Sequence, residues 1–309
     1  MIRKYVTGFS MIEMLISMVV ASIVIIGVYS FLSSSQRSFN LVQANDGMNR
    51  NMLIANRNVV DFIHMAGFRN YRRVVDRITF PKAKYTFDNY DGGDVTFAYN
   101  SFVTASNLES GTSTHKRNHL FIRYYGSSID DDMNYDVEEI QSNGRMFDCS
   151  GTFLSREELA IVHLFVDNSG LHCQHIVNNE VKGTSRTDTV LINPNVTDMM
   201  FAFRSDGQVE FNLVGDMDSS SANELENYSL VNAIRYGFIT RQETHQRVTQ
   251  ISSSGGGLVY HILGMDNSSE SSNMESDKIE IPRTDDSRHD IYNLVSGVVY
   301  ARNRFYEVK

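Results

Sequence analysis

Glu13 has the most unusual setting of any residue in this chain. It is a lone carboxylate inside GFSMIEMLISMVVASIVIIGVYSFL (8–32), a run that is almost wholly apolar from Phe9 to Leu32. As a helix that run is long enough to cross a bilayer core of about 30 Å. A charge at mid-bilayer costs roughly 2.5–3.5 kcal/mol, so an acid placed there has a partner or a task. The chemistry on offer is ion pairing with an amine. Ahead of the run stands a short basic leader, MIRKYVTG (1–8), which ends in glycine at the start of the apolar residues.

The other reactive side chains are few. Cys149 and Cys173 are the two cysteines, and the nine histidines are scattered apart from His172 and His175, which flank Cys173. With Cys149 and His163 these form a conceivable zinc set. On a strand, however, His172 and His175 fall on opposite faces, whereas Cys173 and His175 share one. Asp88, Asp91 and Asp94 in DNYDGGD, and Asp130, Asp131 and Asp132 in IDDDMNYDVEE, are oxygen-rich runs of the kind calcium uses. The first lacks a complete calcium-loop register and a closing bidentate glutamate, and solvated turns account for both more simply. Glu157 and Glu158 are adjacent acids with no companion signal and read as surface. H-E-x-x-H, G-x-S-x-G, C-x-x-C, G-x-G-x-x-G and G-x-x-x-x-G-K do not occur. The reading is therefore of no catalytic residue, no cofactor and no metal.

The elements that position these groups follow from periodicity. Beyond the apolar run, Leu41, Ala44, Met48, Met52, Ala55, Val59, Phe62 and Ala66 recur at spacings of three and four, one face of a helix. Gly67 stands where a left-handed C-terminal cap is expected. The pattern predicts one helix over 9–67, about 85 Å long at 1.5 Å per residue. Its first part, 9–32, would lie in a membrane or filament core. Gly27, Ser30 and the serines at 33–35 are where bending is cheapest. From Tyr71 onward short β-like runs replace the helical period: 86–87, 95–99, 120–125, 159–166, 172–177, 189–192, 199–203, 209–213, 230–240 and 258–262. Segments 252–257 and 266–277 read as flexible. The expected fold is α+β, a lollipop with a long N-terminal helix packed on a large antiparallel β-rich head, 68–309.

Arg3 and Lys4 on the short N-terminal side predict a cytoplasmic N-terminus, with everything past Leu32 periplasmic or outside the cell. In that oxidising space a Cys149–Cys173 disulfide is expected, with two buried thiols or a metal site as the alternatives. The net charge is −9, and loss of Arg3 and Lys4 would deepen it by two, which argues against nonspecific nucleic-acid binding.

The basic leader, Gly8, Phe9, Ser10 and Glu13 five residues past the glycine resemble the class III signal of type IV prepilins. That resemblance implies cleavage between Gly8 and Phe9 on the cytoplasmic side, N-methylation of Phe9, and retention of the apolar helix. An ordinary secretory signal is cut after its apolar region instead. FLSSSQRSF (31–39), NVVDFIHMAGFRNY (58–71) and YARNR (300–304) further resemble PilW-type minor pilins. The sequence departs from major pilins, which carry a proline partway through the membrane helix, near the point where Ser30 stands here.

The resemblance implies a minor pilin that takes part in pilus assembly or initiation, in a priming or tip complex, by packing rather than catalysis. Glu13 is then the subunit-assembly residue. The partners implied are the prepilin peptidase, other minor pilins, the major pilin, the inner-membrane assembly platform and a tip adhesin. The implied location is the bacterial inner membrane and then the pilus at the cell surface. A minor pseudopilin of a type II secretion system uses the same signal and is the nearest alternative. A membrane-anchored periplasmic enzyme or binding protein is the alternative from another class.

Overall fold

The computed structural model describes residues 10–69, 80–106, 117–127, 146–155, 157–179, 182–214, 228–243, 258–263, 278–281 and 290–301. Gly8, Phe9, the acidic run at 130–132 and the segments 252–257 and 266–277 lie outside these residues.

A single helix, α1, runs over Met11–Met65. It continues unbroken through Gly27, Ser30 and the serines at 33–35, since no proline interrupts its hydrogen-bond ladder. At its end the Ala66 N–H bonds to the Phe62 and Ile63 carbonyls. Gly67 follows with φ +75°, a conformation in which a side chain would also press on the Phe102 ring. The Gly67 N–H is taken by the Arg123 carbonyl at 2.9 Å, so the helix stop is also a joint to the head. Met48, Ala55, Val59, Phe62 and Ala66 are buried as the periodicity requires, while Leu41 stays exposed. Residues 11–32 bury nothing at all.

The head contains thirteen strands among the described residues: β1 Ala83–Thr86, β2 Asp94–Phe97, β3 Val103–Ser106, β4 His119–Tyr125, β5 Glu158–Asp167, β6 Gly170–Asn179, β7 Thr184–Asn193, β8 Val196–Ser205, β9 Asn212–Leu213, β10 Val231–Glu243, β11 Leu258–His261, β12 Lys278–Ile281 and β13 Asp290–Tyr300. They form a five-stranded sheet, β3-β4-β5-β6-β7, and a four-stranded sheet, β13-β10-β8-β9, with two separate hairpins, β1-β2 and β11-β12. Every strand pairing is antiparallel.

Alternation along the strands decides the layers. Leu120, Ile122 and Tyr124 of β4, Val162 and Leu164 of β5, and Phe201, Phe203, Tyr236 and Phe238 of the second sheet share one core with the distal half of α1. On the far side of the second sheet, Met200, Ala202 and Ile239 form a smaller core with Ile262, Leu263 and Ile279 from the β11-β12 hairpin. Gly237 lets that hairpin approach, because a Cβ there would collide with the Ile262 carbonyl oxygen.

Three polar contacts fix α1 on this platform. Tyr236 donates its hydroxyl to Asn56 Oδ1 at 2.6 Å, Asn193 Nδ2 donates to the Asn51 carbonyl at 2.7 Å, and Asn293 Nδ2 reaches Met52 Sδ at 3.2 Å. Gly297, opposite Tyr236 on β13, leaves room for the phenol to cross towards the helix.

The strands β3, β12 and β13 have no counterpart in the sequence reading. β13 is the notable one, pairing with β10 over eleven positions. Asn293, Ser296 and Gly297 break its apolar run, and neither face is fully buried, so its sequence lacks the alternation that marks a half-buried strand.

Candidate functional site

The N-terminal end of α1 gathers the residues that the sequence singles out. Ser10 is the N-cap, in extended conformation with φ −71° and ψ 142°. Glu13 is the third helical residue, and its Oε2 accepts the Ser10 N–H at 3.3 Å. That satisfies one of the N–H groups a helix leaves unpaired at its start, and it puts a negative charge at the positive end of the helix dipole. The S-x-x-E spacing of a capping box stands in the sequence at 10–13, yet the sequence reading gives Glu13 no role as a helix cap. Ser17 and Ser22 turn their hydroxyls back onto the Glu13 and Val19 carbonyls, so they add no unpaired polar group to the apolar surface.

Around Glu13 the helix is a bare apolar cylinder. Met11 is 86% exposed, and Leu15, Ile16, Val19, Ile23, Ile26 and Phe31 are all more than half exposed. The apolar window over this half is long enough to cross a membrane, and none of it is buried. An apolar surface of that extent needs lipid or other helices to cover it.

A second constellation surrounds the cysteines. Cys149 and Cys173 are joined as a disulfide, which ties the 148–152 turn to β6 with a Cα–Cα distance of 5.7 Å. Asp148, beside it, is 1% exposed and fully engaged. Its Oδ1 accepts Ser150 N–H at 2.9 Å, the Ser150 hydroxyl at 2.6 Å and Thr152 N–H at 3.0 Å. Its Oδ2 lies 3.0 Å from Arg186 Nη2 and 3.6 Å from His175 Nε2. Burial lowers the His175 pKa, partly offset by Asp148, so this carboxylate relies on Arg186 for charge. Opening the disulfide is expected to cost about 3 kcal/mol in the chain-entropy account. A Cys149→Ala, Cys173→Ala double variant should therefore unfold at clearly lower urea concentration, and thiol labelling of denatured, unreduced wild type should find no free thiol.

The conceivable zinc ligands do not converge. Cys173 is consumed by the disulfide, and His175 turns to Asp148. His172 lies on the opposite face, with Nε2 2.6 Å from Ser169 Oγ and 3.1 Å from Asp167 Oδ1. His163 faces His119. Among the described residues no three His, Cys, Asp or Glu side chains come together as a metal site. The Ser169–His172–Asp167 group has the composition of a hydrolase triad but not its geometry. Both partners sit on the same ring nitrogen, whereas a relay needs one on each.

Asp88, Asp91 and Asp94 are exposed around the β1-β2 turn, and Asp94 accepts the Thr86 hydroxyl at 2.7 Å across the hairpin. Glu158 departs from the surface role read from sequence. It is half-buried at the start of β5, where it accepts Ser155 N–H at 2.8 Å and sits 3.6 Å from Arg186 Nη1. Its burial follows from closing the turn before that strand.

The sequence reading also missed Arg123, which is fully buried. It lies on the face of β4 covered by the β1-β2 hairpin. The signal was available: an arginine inside the strand-like run LFIRYY must find acceptors if both faces of the strand are covered.

Comparison with known proteins adds two findings. Residues 3–29 match the prokaryotic N-terminal methylation motif. A type IV-like pilin from Thermus thermophilus aligns over 83% of this chain and 97% of its own, at a TM-score of 0.38 and 10% identity. No curated protein matches the chain.

Proposed function

We propose that this chain is a type IV pilin subunit of the minor class, made as a prepilin, that acts in pilus assembly or initiation by helix packing. The observation that carries the reading is the methylation motif over residues 3–29, set on a helix whose first half is apolar and entirely uncovered. A long helix mounted on an antiparallel β head is the expected division of labour: the bare half inserts among lipids or sister helices, and the head is held clear. On this reading Phe9 becomes the methylated N-terminus, Arg3 and Lys4 keep the leader cytoplasmic, and the head lies in the periplasm until assembly.

Glu13 is the assembly residue in this scheme. Cleavage after Gly8 would create an amine on Phe9, adjacent to Ser10, whose N–H the Glu13 carboxylate already accepts. The acid is thus poised at the end of the helix where the new cation arises. Pairing with that amine, on the same subunit or on a neighbour, neutralises both charges in an apolar surrounding and fixes the axial stagger between subunits.

Processing is the direct test. Intact-mass analysis of membrane-extracted protein should give a chain that begins at Phe9 and carries one added methyl group. Gly8→Val should leave the leader attached. A mature N-terminus beyond Phe9, or an uncleaved wild-type chain, would overturn the assignment.

A further inference from the structure

The β1-β2 hairpin lies on the outer face of the five-stranded sheet and is fastened at two points of different chemistry. At the strand end, the Arg123 guanidinium donates to the carbonyls of Pro81, Ala98 and Ser101, which flank the hairpin. At the turn end, Phe87 and Tyr90 rest on a stack of rings from the sheet: His119 and Phe121 of β4, and His163 and Phe165 of β5. His163 is sandwiched, its ring centroid 4.3 Å from Phe121 and 4.5 Å from Phe165, and it is fully buried. His119 Nδ1 and His163 Nε2 are 2.8 Å apart, so the two imidazoles share one N–H···N bond. Asn89 completes the fastening, donating to Thr189 Oγ1 on β7 at 3.2 Å.

An N–H···N bond requires one nitrogen to carry a proton and the other to lack it. It fails when both nitrogens are protonated, and a charged ring at the His163 position is shut off from solvent. The neighbours do little to stabilise such a charge. From the hairpin turn come Tyr90 and the exposed Asp91. From β3 comes Ser106, opposite His119. From β6 come Gln174, opposite His163, whose side-chain hydrogen bond favours the charged ring but does not outweigh burial, and His172, which stacks on Phe165 and is held by Asp167. Arg117, two residues before His119, is engaged by the Thr197 carbonyl and Asn168 and adds a like charge.

We propose that the His119–His163 pair is an acid-released catch: taking up protons, it frees the Phe87–Gly93 end of the hairpin from the sheet while Arg123 keeps the other end tethered. Opening would expose the rings of Phe87, Phe121 and Phe165 as a new apolar surface on the head.

The sign is fixed by the closed state. Burial lowers the His119 pKa to about 4, despite the opposing pull of Asp91, and burial with His119 alongside lowers that of His163 well below the usual value. A histidine with a depressed folded pKa supports the closed form fully above its ordinary pKa of about 6.5 and loses that support as pH falls. The window is therefore about pH 6.5 down to 4. Across it the opening constant should rise by up to tenfold per pH unit for each proton taken up. The Arg123 guanidinium, lowered by burial to about 10, stays charged throughout.

Hydrogen exchange read by mass spectrometry on the mature full-length chain in detergent micelles tests this between pH 7 and 4, after correction for intrinsic exchange chemistry. The expected result is progressive loss of protection at 87–93, with protection retained in β5, β6 and the docked half of α1. His163→Phe keeps the stack and removes one of the two titrating rings together with their shared bond, so the acid response of its hairpin protection should be clearly weaker than that of the wild type. Because that variant could misfold, His119→Phe and the imidazole titration curves of the wild type are read in parallel, and both rings should stay neutral below pH 6. A wild-type opening constant that is flat to pH 4 would overturn the proposal, as would a normal titration of both rings. Loss of protection throughout the head at once, or the same acid response in a folded His163→Phe protein, would do so equally.

Discussion

Replacing Glu13 by alanine is expected, on the proposed function, to leave processing and membrane insertion intact and to reduce pilus assembly, or incorporation of this subunit, by roughly a hundredfold or more. Two contributions are lost together. The first is the cap on the Ser10 N–H, whose removal costs about 1 kcal/mol. The second, on the proposed reading, is the partner for the Phe9 amine, and breaking a buried charge pair costs about 3–5 kcal/mol. Alanine itself would sit more comfortably in lipid, so a membrane-insertion role alone predicts no defect. Glu13→Gln separates the two contributions, since its carboxamide oxygen can still accept from Ser10 but carries no charge. Restored assembly in Glu13→Gln would assign the effect to the cap, whereas a defect as deep as that of alanine would assign it to the ion pair. Quantitative blotting of mature protein beside pilus counts gives the measurement. Wild-type pilus numbers with normal subunit content in Glu13→Ala would refute the pairing.

Arg123→Met should be the most damaging single change in the head among the groups considered, lowering stability by about 3–5 kcal/mol. The guanidinium Nε donates to the Ser101 carbonyl at 2.6 Å, Nη1 to Pro81 at 2.7 Å and Nη2 to Ala98 at 2.9 Å. Its carbon lies 4.8 Å and 4.7 Å from the ring centres of Phe80 and Phe97. Methionine fills much of the volume but leaves those carbonyls without donors, which costs about 1–3 kcal/mol for each one that stays buried. Lysine should recover little, because one ammonium cannot reproduce a planar fork aimed at separate acceptors. Urea unfolding followed by near-ultraviolet circular dichroism measures the change. A shift below about 1 kcal/mol for the methionine variant would mean that the hairpin does not depend on this cation.

The contrast between these two residues shows what can be read before folding. Glu13 stands out because its neighbours in sequence are also its neighbours in space, so a charge within an apolar run is visible directly. The buried stripe from Met48 to Ala66 and the stop at Gly67 are legible for the same reason, being properties of one helix. Arg123 is different, since its acceptors lie 22, 25 and 42 positions away and only the fold brings them round. The pairing of His119 with His163 is likewise a matter of β4–β5 register. β7 shows a further limit: its residues Thr184 to Thr189 are exposed, and they are strand because β6 offers a free edge, not because of any apolar alternation. Glu158 was misjudged because a turn, not a reaction, employs it.

The three polar contacts that seat α1 have an implication for the order in which a newly made chain becomes complete. Asn51 meets Asn193, Asn56 meets Tyr236 and Met52 meets Asn293, so the partners are 142, 180 and 241 residues apart. At a synthesis rate of 5–20 residues per second, Met52 precedes Asn293 by roughly 10–50 s. Helix formation takes about a microsecond, so the helix exists long before its seat. Early in that interval the stripe of Met48, Ala55, Val59 and Phe62 has no strands to cover it, and its cover is complete only at the end. The seat closes only when β13, the last described strand, zips onto β10. A nascent chain is therefore sticky along a face that the mature protein hides. A premature stop ahead of Asp290 would remove β13 and, with it, the Asn293 contact to Met52 near the opposite end of the sequence.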